Sequence, residues 1–379
     1  MSPRNAGTPA EGCAIIDDPM HLDIGEHHKS AGPRTMRAAR WHGRRDIRVG
    51  DIPVPDVTAG QVLVRVERVG LCGTDLEEYL EGPVDIPVVT PHPGSGIVAP
   101  LTLGHEVVGT VAECPGGELA PGQRVIPDVV VGCGHCWWCA RHQTGLCPQL
   151  AVRGLQCDGG LATWLAADAD TCVVVPDNTP VDVAAFAEPG AVAVRAMRKA
   201  GDVSGATVAI IGAGTIGLLT AQVAKARGAV RVVVVEPRKE RRDIALALGF
   251  KDVIGPEQVP ALGDGGRGAD VVLECAGNQA AMDSALTACR AGGTLVAVGT
   301  PAAPLTLPMR SVVLAEKRIL GSAAHLWDED VAAAVAMLSG GLLQTGPLLT
   351  AVIPLEKVVS EGFERLARDP VALKILVAP

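Results

Sequence analysis

The chain has 379 residues, of which 48% are apolar and only 2% aromatic, and it carries a formal charge of −9. That length accommodates two domains of ordinary size, each with its own core. The acidic balance argues against nucleic acid or an anionic membrane surface as the main partner.

Residues 1–35 are polar, hold His21, His27 and His28, and show no sustained period. They lack the apolar h-region of a secretory signal and are expected to form a disordered leader with solvated histidines. From Met36 the pattern is β-rich. "MRAARWH", "QVLVRVERVG", "EVVGTVAEC", "QRVIPDVV" and "TCVVVPD" alternate or run apolar, with turn residues between them. Such spacing predicts a barrel-like or sandwich-like domain up to about Glu188.

The pattern then changes. "TVAIIGAGTIGLLTAQVAKARGA" reads as strand, glycine turn and helix, and "VRVVVVE" as a second strand. Helices "RRDIALALG" and "NQAAMDSALTACR" then alternate with strands "DVVLECAG", "TLVAVGT" and "RILGSAA". Strands alternating with helices predict a doubly wound parallel sheet. The apolar stretch around the glycines is too broken to be read as a membrane span.

Gly212, Gly214 and Gly217 form a GxGxxG between a strand and a helix. The first glycine permits a tight turn, the second lets backbone approach a pyrophosphate, and the third allows close helix packing. The helix N-terminus then faces the phosphates. Glu236 closes the next strand, where a carboxylate accepts both ribose hydroxyls of NAD and repels the 2′-phosphate of NADP. Arg238, Arg241 and Arg242 follow and work against that preference.

Two groups of residues have the chemistry of metal ligands. Cys133, Cys136, Cys139 and Cys147 lie in "CGHCWWCARHQTGLC" with spacing C-x2-C-x2-C-x7-C. Four thiolates on one loop close a tetrahedron around Zn²⁺ and leave no open position, so this site is read as structural. Trp137 and Trp138 are expected to pack over it or against a partner subunit. Cys72 in "GLCGTDLEEY", with His105 and Glu106 in "LTLGHEVVGT", could hold a second metal with room for a ligand. Asp75 beside Cys72 either orients a ligand or caps the loop. The remaining thiols among eleven cysteines suit a reducing cytoplasm.

These motifs, together with "HPGSG", "AEPGAVAVRAM", "LECAGN" and "LGSAAH", resemble the zinc-dependent medium-chain dehydrogenase/reductase family. Within its polyol branch they are most similar to the 2,3-butanediol dehydrogenases, from about Met36 to the C-terminus. The resemblance implies an α/β subunit in which a GroES-like β-rich catalytic domain is formed by 36–189 and a return segment 326–379. A Rossmann domain, 190–325, lies between them. It implies a catalytic zinc on Cys72, His105 and Glu188, with Glu106 as an alternative ligand, and Thr74 hydrogen-bonding the substrate oxygen. Zinc lowers the pKa of a bound oxygen to about 7, which suits oxidation of an alcohol. Ile216, Arg241, Cys275 and Gly299 join the expected cofactor contacts.

The sequence departs from the family pattern at Glu77, where relatives carry His, and at Gly190 and Arg195, which replace a Leu and a His. Trp164 stands where a Tyr is usual. These positions are expected at the proton outlet and pocket wall, with Glu77 passing the proton to water. The insert "EGPVDIPVVTPHPGSGIVAP" is expected to roof the site.

The resulting expectation is a cytoplasmic dehydrogenase with two zinc ions per subunit. It would pass hydride between NAD and a secondary alcohol or vicinal diol, or the matching ketone, and assemble as a homodimer or homotetramer. Alternatives are a dehydrogenase of a cyclic polyol, amino-polyol or threonine-like substrate, and a non-catalytic cofactor-binding protein of crystallin type.

Overall fold

Val62 and Val64, on the strand Gln61–Gly70, enter a small core with Val111 and Val125. Val66 belongs to a second core around Trp41, Leu101 and Phe363, and after a register irregularity between Val66 and Arg68 so does Val69. β-branched residues suit such a half-buried pleated surface. In this computed structural model, which describes residues 34–262 and 264–379, that strand is central to a seven-stranded sheet. Its neighbours are Glu106–Glu113, Trp164–Asp168 and Lys374–Ala378, all antiparallel to it. The last of these comes from the far end of the chain and sets Leu376 opposite Gly70. A smaller sheet pairs Thr35–Gly43 with Asp46–Pro53 and Leu101–Thr102. The expected leader lies outside the described residues up to position 33, and Thr35 already opens the first strand.

The second lobe is a six-stranded sheet in the order Asp252–Ile254, Arg231–Val235, Thr207–Ile211, Ala269–Glu274, Cys289–Ala297, Arg318–Gly321. Every pairing in it is parallel. Continuous apolar runs such as Val232–Val235 are what a sheet covered on both faces requires. Ile210, Leu218 and Leu219 are fully buried on one face, and Ala209, Val272 and Leu295 on the other. Each large apolar side chain contributes roughly 1.5–3 kcal/mol by its burial.

Helix Ala187–Ala200 joins the two lobes. Its first turn carries Glu188 and its last turn Arg198 and Lys199, charges that complement the helix dipole. Gly201, at φ +87°, ends it. It packs on helices Thr215–Ala226 and Ala332–Ser339 through Ala193, Ala196 and Met197. The expected domain boundary after residue 189 therefore falls inside this helix's first turn. No helix among the described residues is long and apolar enough to cross a membrane.

Candidate active site

Cys72 stands immediately before helix Gly73–Glu81, where its backbone N–H donates to Asp75 Oδ2 at 2.9 Å. The other oxygen of Asp75 lies 3.4 Å from His105 Nδ1. Asp75 thus caps the loop and faces the imidazole at once. Neither Asp75 Oδ1 nor His105 Nδ1 makes a hydrogen bond. Burial opposes a charge on His105, but Asp75 and Cys72 outweigh it and raise the imidazole well above its ordinary pKa.

One donor atom each from Cys72, His105 and Glu106 falls within 4.8 Å of the others. Glu106 lies against Gly70, where a Cβ would come within 1.9 Å of its Oε2. Only glycine admits the carboxylate there. Both oxygens of Glu106 also sit 2.5 Å from Lys374 Nζ, which donates in addition to the Leu71 carbonyl at 3.0 Å.

Glu188 enters from helix Ala187–Ala200. Its carboxylate feels the charges of His105 and Lys374, and its Oε1 lies 3.4 Å from His325 Nε2. Burial raises its pKa, but His325 and then His105 more than reverse this. A thiolate, an imidazole and a carboxylate suit Zn²⁺; among the described residues Glu106 is the carboxylate grouped with Cys72 and His105, and the expected ligand Glu188 falls outside that group.

Leu71, Cys72, Glu106 and Lys374 share one cleft with Gly214, Thr215, Ile216 and Cys275. The cleft therefore connects the ligand cluster to the glycine turn. At the turn, a Cβ on Gly217 would sit 1.9 Å from the Gly212 carbonyl oxygen, so the helix approaches as closely as it does only because that residue is glycine. A second cleft of about 420 Å³ runs from Gly212 and Gly214 to Glu236, Arg238 and Arg241. Glu236 is held there by the N–H groups of Ala213, at 2.8 Å, and Arg238, at 3.0 Å.

Residues 58–177 match the alcohol dehydrogenase GroES-like domain, and residues 215–340 match the zinc-binding dehydrogenase domain. The (R,R)-butanediol dehydrogenase of Neisseria gonorrhoeae is 36% identical over 361 residues, which cover 91% of this chain and 99% of that one. The crystal structure of 2R,3R-butanediol dehydrogenase from Bacillus subtilis superposes with a TM-score of 0.83 at 31% identity, covering 91% and 99% of the two chains. The chain belongs to the zinc-dependent medium-chain dehydrogenase/reductase family. A zinc-binding dehydrogenase from Sinorhizobium meliloti bound to NADP is also similar, with a TM-score of 0.80, 29% identity and coverage of 91% and 100%.

As a member of this family the protein is a zinc-dependent alcohol dehydrogenase, and its four-cysteine loop suits a second zinc. The sulfurs of Cys133, Cys136, Cys139 and Cys147 lie within 4.8 Å of one another. Backbone N–H groups of Cys133, Cys136, Cys139 and Gln149 donate to three of them at 3.3–3.4 Å. Without a cation two of these thiols are driven apart: the backbone of His135 holds Cys133 down to about 6, while burial pushes Cys139 up to about 12. A dication at the centre removes that conflict. Trp137 and Trp138 stack edge-on at 4.6 Å, with the Arg141 guanidinium 4.0 Å above Trp137, itself 56% exposed.

Several expected site residues lie elsewhere. Gly299 packs on the backbone of Gly277 and lines neither cleft. Thr74 Oγ1 stands 3.8 Å from Cys72 Sγ, but Glu77, half-buried on the same helix, lines neither cleft. Trp164 packs beside Met36 and Ala162 in a separate small core, not at a pocket wall. Gly190 faces Ala334 and Leu343 of the neighbouring helix region, where a larger residue would be crowded. Arg195 is buried and donates to the Ala323 carbonyl, so it too is no pocket wall. The insert folds against the loop after Cys147: Ser95 donates to the Gln156 carbonyl, Gln156 donates to the Asp85 carbonyl at 3.3 Å, and no insert residue lines the Cys72 cleft. Lys374 carries no motif of its own, and His325, the last residue of "LGSAAH", was given no role there.

Proposed function

We propose that the protein oxidises a secondary alcohol or vicinal diol of the butanediol type, or reduces the matching acyloin, with NAD as hydride partner. The observation that carries this reading is the cleft shared by Cys72 and Glu106 on one side and Gly214 and Ile216 on the other. Cys72, His105 and Glu188 are the catalytic ligands in this reading, Glu106 the exchanging one, and the four-cysteine loop the structural site. Zinc, when bound, lowers the pKa of an alcohol oxygen toward neutrality.

The chain's own residues do the rest. Thr74 accepts a hydrogen bond from the substrate hydroxyl and passes the proton outward, with Glu77 as its outlet to water. Asp75 holds the His105 ring, and Lys374 holds Glu106. The Gly212–Gly217 turn and the N-terminus of helix Thr215–Ala226 receive the cofactor pyrophosphate, while Glu236 accepts the ribose hydroxyls. Arg241 stands over Gly214, where its guanidinium suits a phosphate.

A panel of butanediol stereoisomers, acetoin, sorbitol, cyclitols and threonine, followed by NADH absorbance, tests the substrate class. Turnover of long primary alcohols with none of diols or acyloins would defeat it. Replacing Glu236 with Gln should lower NAD efficiency roughly tenfold or more, since a charge-assisted hydrogen bond contributes about 1.5–3 kcal/mol. Better use of NADP by the wild type would mean that Arg238, Arg241 and Arg242 dominate. Glu77→Gln should slow alcohol oxidation most between roughly pH 6 and 8, where hydroxide is scarce and a positioned proton acceptor matters. It should matter less near pH 10, where hydroxide takes the proton directly. Identical profiles for variant and wild type would remove Glu77 from the relay.

A reducing cytoplasm fits the ten described cysteines, which are all free thiols. A second copy is expected along the outer strand Arg318–Gly321, beside exposed Met309, Val313 and Leu314.

A further inference from the structure

The imidazole of His325 is 1% exposed and stands between two carboxylates. Its Nε2 is 3.4 Å from Glu188 Oε1, and its Nδ1 is 3.7 Å from Asp128 Oδ1. Both contacts are charge contacts by distance, and neither ring nitrogen makes a hydrogen bond. We propose that His325 is a positioning residue that sets the Glu188 carboxylate for its metal, an inference that rests on the zinc reading above.

Three features argue that this is a built arrangement and not incidental packing. The chain on either side of His325 is pinned: Arg195 Nε donates to the Ala323 carbonyl at 3.1 Å, and the Leu326 N–H donates to Asp330 Oδ2 at 2.9 Å. Asp330 is itself fully buried and is held by Arg195 at 3.4 Å and Arg198 at 2.5 Å. Arg195 lies two turns along the same helix as Glu188, so one helix supplies both the ligand and the clamp for the residue that orients it. On the far side, Asp128 is fixed by the Val130 N–H at 3.1 Å.

A glutamate has three side-chain torsions and loses considerable rotamer freedom when it binds a metal. An imidazole already standing against Oε1 restricts the carboxylate beforehand and lowers that cost. Removal of an outer partner of this kind typically weakens metal binding by about 10–100-fold. The replacement of the family's His by Arg195 then has a physical reason: it secures the loop that carries His325.

The test is zinc affinity measured by chelator competition on the full chain, alongside kcat and KM. His325→Phe should weaken one of two zinc sites by about 10–100-fold and leave the other unchanged. Its kcat should fall once the weakened site is part-filled, and excess zinc should restore it. His325→Gln, which keeps a donor, should recover part of the affinity. Asp128→Asn should shift it in the same direction by less, and serves if His325→Phe fails to fold. Two zinc sites of wild-type affinity in both His325→Phe and Asp128→Asn, with only thermal stability changed, would overturn the proposal alone. A wild type whose zinc content is untouched by Cys72→Ser would overturn the zinc reading beneath it.

Discussion

Cys72→Ser is expected to reduce turnover by roughly a thousandfold or more while leaving the fold intact. A metal's contribution of several kcal/mol to an oxygen-centred reaction corresponds to that factor at about 1.36 kcal/mol per decade. The serine hydroxyl holds its proton at neutral pH and cannot replace a thiolate donor. Cys136→Ser should fail in the opposite way, with lower stability and solubility, because it opens a closed thiolate site remote from the cleft. Metal analysis should find two zinc ions in wild type and one in each variant, and a melting curve should separate them. One zinc or fewer in fully active wild type would refute the two-site reading.

Lys374→Met should be the most destabilising change in the catalytic lobe. Lys374 and Glu106 are 3% and 1% exposed, so removing the ammonium leaves a nearly buried carboxylate without its counter-charge. Breaking one side of a buried pair costs about 3–5 kcal/mol. The loss should appear in the urea midpoint with little change in slope. The double variant Lys374→Met/Glu106→Leu should recover most of it, because exchanging both partners for apolar groups is often neutral. Wild-type stability in the single variant would mean that Glu106 carries no charge needing compensation.

How much of this was legible beforehand depended on how far apart in the chain the partners lie. The glycine turn, the parallel strands and the four-cysteine loop each declare themselves within about twenty residues, through local spacing and periodicity. Cys72 and His105 were found because they stand beside glycines in short motifs. Lys374 was not, because the glutamate it holds is 268 residues away. His325 sat within the quoted "LGSAAH" but has no meaning until Glu188 and Asp128 are folded around it. Arg195 and Gly190 looked like departures at a pocket wall. In the fold both serve the packing of helix Ala187–Ala200, a distinction that single-chain patterning cannot make. Trp164 was misplaced for the same reason: which face of a strand looks inward depends on what the sheet closes against.

The strand Lys374–Ala378 also bears on the order in which the molecule becomes competent as it is synthesised. Cys72, His105 and the whole dinucleotide lobe emerge from the ribosome well before it. Until that strand arrives, the edge of Gln61–Gly70 that it covers has no partner there, and the Glu106 carboxylate has no ammonium beside it. A chain stopped short of this segment would therefore possess a cofactor lobe with all six of its strands next to an unfinished metal pocket. Quality control in the cell would meet such a product as a binder of dinucleotide without a working catalytic half.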